Sequence, residues 1–464
     1  MGDALPVEAI DARLSAALPT GALFAVGGRV RDEVRSALDA LERPAKDLDY
    51  IAVGIGLDEL VERLSRVGRA DVVGASFAVV KCTIDGVTVD VALPRREHST
   101  GLGHRDFQVE WGPDISLEDD LARRDFRMNM MARALPAGVL VDPYGGEADV
   151  KARRIDILRD EAFFEDPLRM LRACQFAARF EFEVTPRTLA AMRFAAALVE
   201  SVSPERVRDE LIKLLEQARR PSLGIELMRA GGLLPFVLPE VAEGIGVSQN
   251  MYHAFDVYEH ALVTLDATPS GDLVLRLAAL FHDVGKPQSK TVEDGFAHFY
   301  RHELIGEVLT RGVLDRLRFP PDATRDVSRL VLHHMYAADP DLEDRSVRRF
   351  LRRITLELLE RQFALRSADI VGSGLPKRGD NNERFEARVR ALVEAKPALG
   401  VRDLAIGGDD VIEILVAAGK LPRGSRGAPA VGRILTALLE IVLDSPESNT
   451  RVKLTKLARE MTDD

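Results

Sequence analysis

Hydrophobic positions along the chain change their period near residue 150. Before that point, residues 22–26 and 48–53 form short apolar runs that predict buried strands. The segment "DVVGASFAVVKCTIDGVTVDVAL" (71–93) alternates β-branched and polar residues around Asp85-Gly86, which predicts a hairpin. Helical spacing appears between these runs, at 30–41 and 57–67. After Asp149 the spacing is helical throughout, over 165–181, 186–199, 204–219 and 222–231, with Pro or Gly between several of the segments. A second helical block spans about 253–372 and holds most of the histidines. "GLPKRGDNNER" (374–384) reads as a linker or long turn, and the remainder to 464 is again helical, interrupted at 419–429. The pattern predicts an α+β chain: a small mixed head over 1–150, then helical regions over 151–235, 236–373 and 374–464.

Composition narrows this picture. A chain of 464 residues, 46% hydrophobic and 30% charged, has the balance of a water-soluble protein with several cores. The net charge of −11 argues against a nonspecific nucleic-acid coat but leaves room for a local basic cleft, because binding follows charge distribution. The two cysteines, Cys82 and Cys174, lack zinc-ligand spacing and suggest no disulfide framework. The N-terminus has no basic-then-apolar signal pattern, and no apolar run approaches the roughly 18 residues that span a bilayer. The expected compartment is the cytoplasm, with no membrane partner.

The head carries the densest chemistry. Asp47 and Asp49 alternate with Leu48, so on a strand both carboxylates face one side. Such a pair repels unless a cation lies between, and hard Mg²⁺ favours oxygen ligands together with phosphate oxygens. Gly27 and Gly28 sit between a strand and a helix, where backbone N–H groups can approach a triphosphate, and Arg31 adds a charge-assisted contact. Asp90 ends another predicted strand and offers a third carboxylate. Taken singly, a D-x-D is more often a solvated strand end, and G-G only a turn. Downstream, Arg123, Arg124 and Asp125 form a charged triplet, read either as a helix cap with surface charge or as ribose and phosphate recognition. Asp166, Arg169 and Arg172 share a helix face, and an isolated D-x-x-R of this kind is usually an intrahelical ion pair.

Together these motifs resemble the class II tRNA nucleotidyltransferases, the bacterial CCA-adding enzymes and poly(A) polymerases of the polymerase-β superfamily. The family's G-G-x-V-R-D…D-x-D is matched by Gly27, Gly28, Val30, Arg31, Asp32, Asp47 and Asp49. Its R-R-D-[FL]-x-x-N is Arg123, Arg124, Asp125, Phe126 and Asn129. Its D-x-x-G-G-x-x-D is Asp142, Gly145, Gly146 and Asp149, and its E-D-x-x-R is Glu165, Asp166 and Arg169, followed by Arg172. "SPERVRDELIKLL" (203–215) looks like the helical element that follows. The resemblance implies an elongated head, neck, body and tail, with Mg²⁺ on Asp47 and Asp49. It also implies nucleotide contacts from Gly28, Arg31, Arg124 and Asp125, base reading by Asp166 and Arg169, and substrates CTP, ATP and the 3′ end of tRNA. The chain departs from the family in the long segment between Asp32 and Asp47, which lacks the usual Leu-Leu-Gly, and in Gln175, where some relatives carry a further arginine.

A second constellation, His260, His282-Asp283, His302, His333 and Asp369, resembles the HD phosphohydrolases. His and Asp together suit a divalent transition metal that makes hydroxide from bound water. His298 is a further candidate ligand or a surface neighbour. Arginines 348, 349, 352, 353, 361 and 366 read either as an RNA-binding face or, with their interspersed acids, as a solvated one. Three functions remain open from the sequence. The first is CCA addition or a restricted A-adding, CC-adding or poly(A) variant of it. The others are an HD phosphohydrolase with a nucleotide-binding head, and an RNA-binding protein with decayed sites.

Overall fold

A computed structural model describes residues 6–39, 48–73, 78–99, 107–376, 379–425 and 428–462. They fall into two compact units, Met1–Ala242 with Arg316–Arg318, and Glu243–Asp315 with Phe319–Asp464.

In the first unit, helix α1 (Val7–Ala17) precedes β1 (Leu23–Val26), α2 (Gly28–Asp39), β2 (Asp49–Ala52), α3 (Leu57–Leu64), β3 (Arg69–Val73), β4 (Val79–Ile84) and β5 (Val87–Ala92). Then come a two-stranded ribbon β6 (Arg95–Ser99) and β7 (Phe107–Trp111), α4 (Leu117–Ala122), β8 (Ala132–Ala134), β9 (Val139–Val141) and α5 (Gly146–Lys151). Seven strands form one sheet in the order β3-β4-β5-β2-β1-β8-β9. The expected hairpin is present as β4 and β5, and Asp85 and Gly86 both take positive φ, as a tight two-residue turn requires. β2 and β5 run parallel, and their register sets Asp49 beside Asp90. The expected helix from residue 30 begins two residues earlier, at Gly28. Its far end and Asp47 lie outside the described residues.

The rest of this unit is helical apart from the short pair β10 (Arg154–Ile155) and β11 (Glu183–Val184). It comprises α6 (Ala162–Glu165), α7 (Leu168–Phe180), α8 (Pro186–Ala195), α9 (Pro204–Gln217), α10 (Ser222–Ala230) and the single turns α11 (Leu234–Val237) and α12 (Pro239–Ala242). Helix α7 is buried on most of its surface, which explains its run of Ala, Cys, Phe and Met.

The second unit is built from α13 (Val257–Asp266), α14 (Leu273–Phe281), α15 (Lys286–Ser289), α16 (His302–Arg316), α17 (Pro321–Leu332), α18 (Asp344–Ile354), α19 (Leu359–Gly372) and α20 (Asn381–Glu394). Helices α21 (Gly408–Ala417), α22 (Pro429–Asp444) and α23 (Arg451–Glu460) pack around Val411, Leu438, Leu443 and Leu454. The helical block departs from expectation at one place. Strands β12 (Lys290–Glu293) and β13 (Phe296–Phe299) form a hairpin about Asp294-Gly295, both at positive φ. That Asp-Gly step is a hairpin signal outvoted by the helical spacing on either side.

Candidate functional site

The first site grows from the turn that ends β1. Gly27 has φ +74°, and a Cβ there would stand 3.2 Å from the Arg124 guanidinium and 3.8 Å from an Asp49 carboxylate oxygen. One turn thus meets residues far apart in sequence, and only glycine leaves them room. Arg31, on the first turn of α2, donates two hydrogen bonds to Asp32 (3.0 and 2.9 Å) and one to the Asn129 side chain (2.8 Å). Burial favours the neutral acid at Asp32, yet Arg31 and Arg35 hold its pKa below the usual carboxylate value. Asp49 is exposed at the start of β2, and Asp90 is its neighbour on β5, with Lys81 4.0 Å from Asp90. Adjacent, accessible carboxylates of this kind fit a hard cation.

Residues 123–129 supply a second wall. Buried Asp120 binds both arginines that follow it, Arg123 at 2.8 Å and Arg124 at 3.1 Å. Burial alone would raise its pKa, but the two guanidinium charges keep it lowered. Asp125 accepts from Asn129 (2.8 Å), the Phe126 amide (2.8 Å) and Arg172 (2.8 Å). Its carboxyl is likewise held down by Arg172 and Asn129 against the opposing pull of burial. The D-x-x-G-G-x-x-D motif is a brace here: Asp142 accepts from the amides of Gly146 and Glu147, and fully buried Asp149 pairs with Arg127 and Arg154.

The third wall is helical. Asp166 accepts from Arg206 of α9 (3.0 Å) and from the Leu168 amide (3.1 Å). Arg169 donates to Glu165 (3.0 Å) and to the carbonyls of Ala162 (3.2 Å) and Arg123 (2.6 Å). The three walls enclose a cavity of about 790 Å³. Gly27, Gly28, Arg31, Asp49, Arg124, Asp125, Asp166, Arg169 and Arg172 all line it. The Arg123 side chain and Asp90 do not. Arg123 turns to Asp120 and contributes only its carbonyl, to Arg169. Arg35, Arg179, Arg206 and Lys213 also line the cavity and were not singled out from the sequence. Arg31 and Arg35 lie 4.6 and 3.9 Å over the ring of Phe180, Arg179 lies 5.2 Å from it, and Arg172 lies 5.2 Å from Phe176. The signal for these was the Arg-Phe content of "RACQFAARFEF", read there only as helix periodicity.

The second site lies in the second unit. Nε2 of His260 is 2.9 Å from Nε2 of His282 and 3.2 Å from carboxylate oxygens of both Asp283 and Asp369. His302 and His334 approach each other at 3.1 Å and reach the other oxygen of Asp283 at 3.3 and 3.6 Å. His282, His302 and His334 each donate Nδ1–H to the carbonyl three residues back, that of Ala279, Phe299 and Val331 (2.7–2.8 Å). That turns their Nε2 atoms toward the Asp283 carboxylate, the orientation by which a backbone carbonyl presets a metal-ligating imidazole. Burial works against charge on His260, yet Asp283 and Asp369 raise its pKa to about 9. The four imidazoles and two carboxylates form overlapping triads that share His260 and Asp283, His260-His282-Asp283 and Asp283-His302-His334 among them, and such donor sets fit a divalent transition metal.

The expected His333 is not in this cluster; His334 is. The two are consecutive at the end of α17, so their side chains diverge. His333 instead lines a 280 Å³ pocket beside Tyr336 and Arg353, where burial and Arg353 lower its pKa to about 4. His253, unmarked in the sequence, stacks edge-on against His260 at 4.8 Å and groups with it and Asp369. His298 stacks on Tyr300 and lines the adjoining 590 Å³ cavity, outside the cluster.

Comparison with known proteins places these features. The poly A polymerase head domain model matches residues 23–156, a probable RNA and SrmB-binding site of polymerase A matches 181–245, and the HD domain matches 251–369. The multifunctional CCA protein of Nitrosococcus oceani is 36% identical over 401 residues, covering 83% of this chain and 94% of its own. That of Cupriavidus necator is 35% identical over 419 residues, covering 84% and 95%. Among solved structures, the Bacillus stearothermophilus CCA-adding enzyme in complex with CTP superposes with a TM-score of 0.68 at 21% identity, covering 99% of this chain and 98% of that one. The Thermotoga maritima CCA-adding enzyme complexed with tRNA gives 0.54 at 18% identity, covering 98% and 95%. At those identities the structural likeness is one of fold, while the sequence relatives settle the kinship: the chain belongs to the multifunctional CCA protein family of nucleotidyltransferases, with a poly A polymerase head and an HD domain.

Proposed function

We propose that this protein adds CMP and AMP, taken from CTP and ATP, to the 3′ end of tRNA in the cytoplasm. The observation that carries the reading is the meeting of Gly27, Asp49 and Arg124 in one cavity with Asp166 and Arg169. Asp49 and Asp47 would hold Mg²⁺, with Asp90 beside Asp49. When bound, the ion activates the terminal hydroxyl and neutralises the departing pyrophosphate. The chain's own groups do the rest. The amides at Gly27 and Gly28 and the guanidinium of Arg124 cradle the triphosphate, so that its α-phosphorus faces the 3′-oxygen in line. Arg31 and Arg172 add fixed positive charge where negative charge accumulates. C and A both present an exocyclic amine beside an accepting ring nitrogen. The Asp166 carboxylate accepts from the amine and the Arg169 guanidinium donates to the nitrogen, whereas U and G present the opposite polarity. Each mismatch costs roughly 1–3 kcal/mol. Arg206 holds the Asp166 carboxylate in place, at 3.0 Å.

Incubation with CTP, ATP and a tRNA lacking CCA is expected to yield three added nucleotides, and Asp49→Ala to yield none. No addition by the wild type, or an unchanged rate in Asp49→Ala, overturns the reading. The number of nucleotides added also separates complete CCA synthesis from A-only, CC-only or poly(A) addition.

The converging Nε2 atoms of the second unit favour a further activity, hydrolysis of phosphoesters such as 2′,3′-cyclic phosphates at a divalent transition metal held by His260, His282, Asp283 and Asp369, with His302 and His334 completing the donor set.

A further inference from the structure

Helix α1 lies before every motif that marks the head, yet one of its side chains reaches both the turn and the strand that form the first wall of the nucleotide cavity. Asp11 accepts hydrogen bonds from two nitrogens of Arg29 (2.9 and 2.5 Å) and from the hydroxyl of Tyr50 (2.6 Å). Arg29 also donates to the Tyr50 hydroxyl (3.1 Å) and to Glu33 (3.0 Å). Glu33 in turn accepts from Arg133 of β8 (2.6 Å). The side chains are largely shielded: Tyr50 is 1% exposed, Arg29 9% and the Asp11 side chain 14%. Opposite charges this well shielded attract far more strongly than a surface pair. Burial would lower the Arg29 pKa, but Asp11 more than offsets it and holds the guanidinium charged.

The placement gives the network its meaning. Arg29 follows Gly28, the residue that opens α2 and borders the cavity. Tyr50 follows Asp49, and because strand side chains alternate, Tyr50 faces away from the cavity while Asp49 faces it. One carboxylate therefore joins the turn that would hold the triphosphate to the strand that would hold the metal, from behind. Isoleucine 10 and Leu14 are fully buried, so α1 is itself anchored to the head. Arg29 and Tyr50 also bond each other directly, and Asp11 closes the three-membered network by accepting from both. Asp11 is an unremarkable acid on a helix in the sequence, and its role emerges only from the fold.

We infer that Asp11, acting through Arg29 and Tyr50, is a positioning residue that sets the separation between the Gly27-Gly28 turn and Asp49, and so the alignment of triphosphate and metal. The inference rests on the nucleotidyltransferase reading above.

The test uses the full chain with Asp11→Asn and Tyr50→Phe. Tyr50→Phe keeps the volume and leaves the Asp11–Arg29 pair intact, so it reports on the strand attachment even where Asp11→Asn folds poorly. Tyr50→Phe is expected to lower kcat about tenfold with KM for CTP changed by no more than about twofold, the pattern of a misplaced rather than a missing contact. The Mg²⁺ concentration for half-maximal rate is expected to rise, and amide hydrogen exchange over residues 49–52 to quicken while the rest of the head keeps its protection. Unchanged exchange and an unchanged Mg²⁺ requirement in folded Tyr50→Phe overturn the inference. So does a loss of rate that follows a general fall in thermal stability, with exchange rising throughout the head. Should the wild type add no nucleotide, the reaction assigned above fails, and the local exchange measurement still decides whether Asp11 couples the turn to the strand.

Discussion

At the scale of single residues, the cavity depends on pairs that the sequence shows only as scattered charges. Asp166 and Arg169 stand three apart and invite the reading of an intrahelical pair, but Arg169 bonds Glu165 and two carbonyls while Asp166 turns to Arg206 of another helix. No spacing rule connects residues 166 and 206, so that partner was illegible before the fold. Replacing Arg206 by Ala should leave Asp166 loosely aimed. Relative kcat/KM for CTP and ATP against UTP and GTP is expected to fall about tenfold, within the range of one lost base-edge contact; steady-state rates with the four triphosphates check this. The Asp125–Arg172 pair (2.7 Å) makes a second residue-scale statement. The folded carboxyl titrates below its ordinary value of 3.8, so its stabilisation is complete above that value and is lost as pH falls through the lower, folded one. Asp125→Asn is expected to cost about 2 kcal/mol at neutral pH, since it removes the nearer of the two carboxylates, Asp125 and Glu210, that face the partly exposed Arg172 guanidinium. It should also flatten the acid limb of the thermal midpoint measured against pH.

Elements were more legible than partners, because an element needs only its own period. The runs at 22–26 and 48–53, the Asp85-Gly86 hairpin and the helices from 165 to 231 all stand close to where alternation and 3.6-residue spacing put them. The hairpin at 290–299 escapes the hydrophobic pattern because its strands are short and none of their residues is buried, leaving the Asp-Gly turn as the sole signal. The arginines of α18 answer a question the sequence left open between an RNA face and a solvated one. Arg348 donates to the carbonyl of Leu443 (2.6 Å), and Arg349 and Arg352 pair with Asp444 and Glu440, so three of them bind the end of α22. The cluster of imidazoles depends on helix contacts in the same way. At the end of α19, a Cβ on Gly372 would collide with the Thr264 hydroxyl and stand 3.1 Å from the His260 ring. Gly372→Ala is therefore expected to push α19, with Asp369, away from α13. Reduced transition-metal content in the purified variant, with helical circular dichroism unchanged, checks it.

For the molecule as a whole, two clusters of ionisable side chains occupy two compact units, each with its own donor set. The proposed activities should separate cleanly. His282→Ala is expected to abolish metal-dependent phosphoesterase activity and spare nucleotide addition, and Asp49→Ala to do the reverse; parallel assays of both variants on a CCA-lacking tRNA and a 2′,3′-cyclic nucleotide decide it. Overall charge foretold none of this, because a chain of net −11 still lines one recess with eight arginines. That recess carries a further consequence. Arg31, Arg35 and Arg179 crowd the same phenylalanine ring, and burial together with Arg31 depresses the pKa of Arg179, so the wall stacks three cations against hydrocarbon with Asp32 as the shared counter-charge of two of them. Such a stack gives any polyanion a foothold irrespective of its base. Pyrophosphate, the released product, fits that description as well as the incoming triphosphate does, and the same wall that draws substrate in should make product departure, rather than bond formation, the slow passage of each cycle.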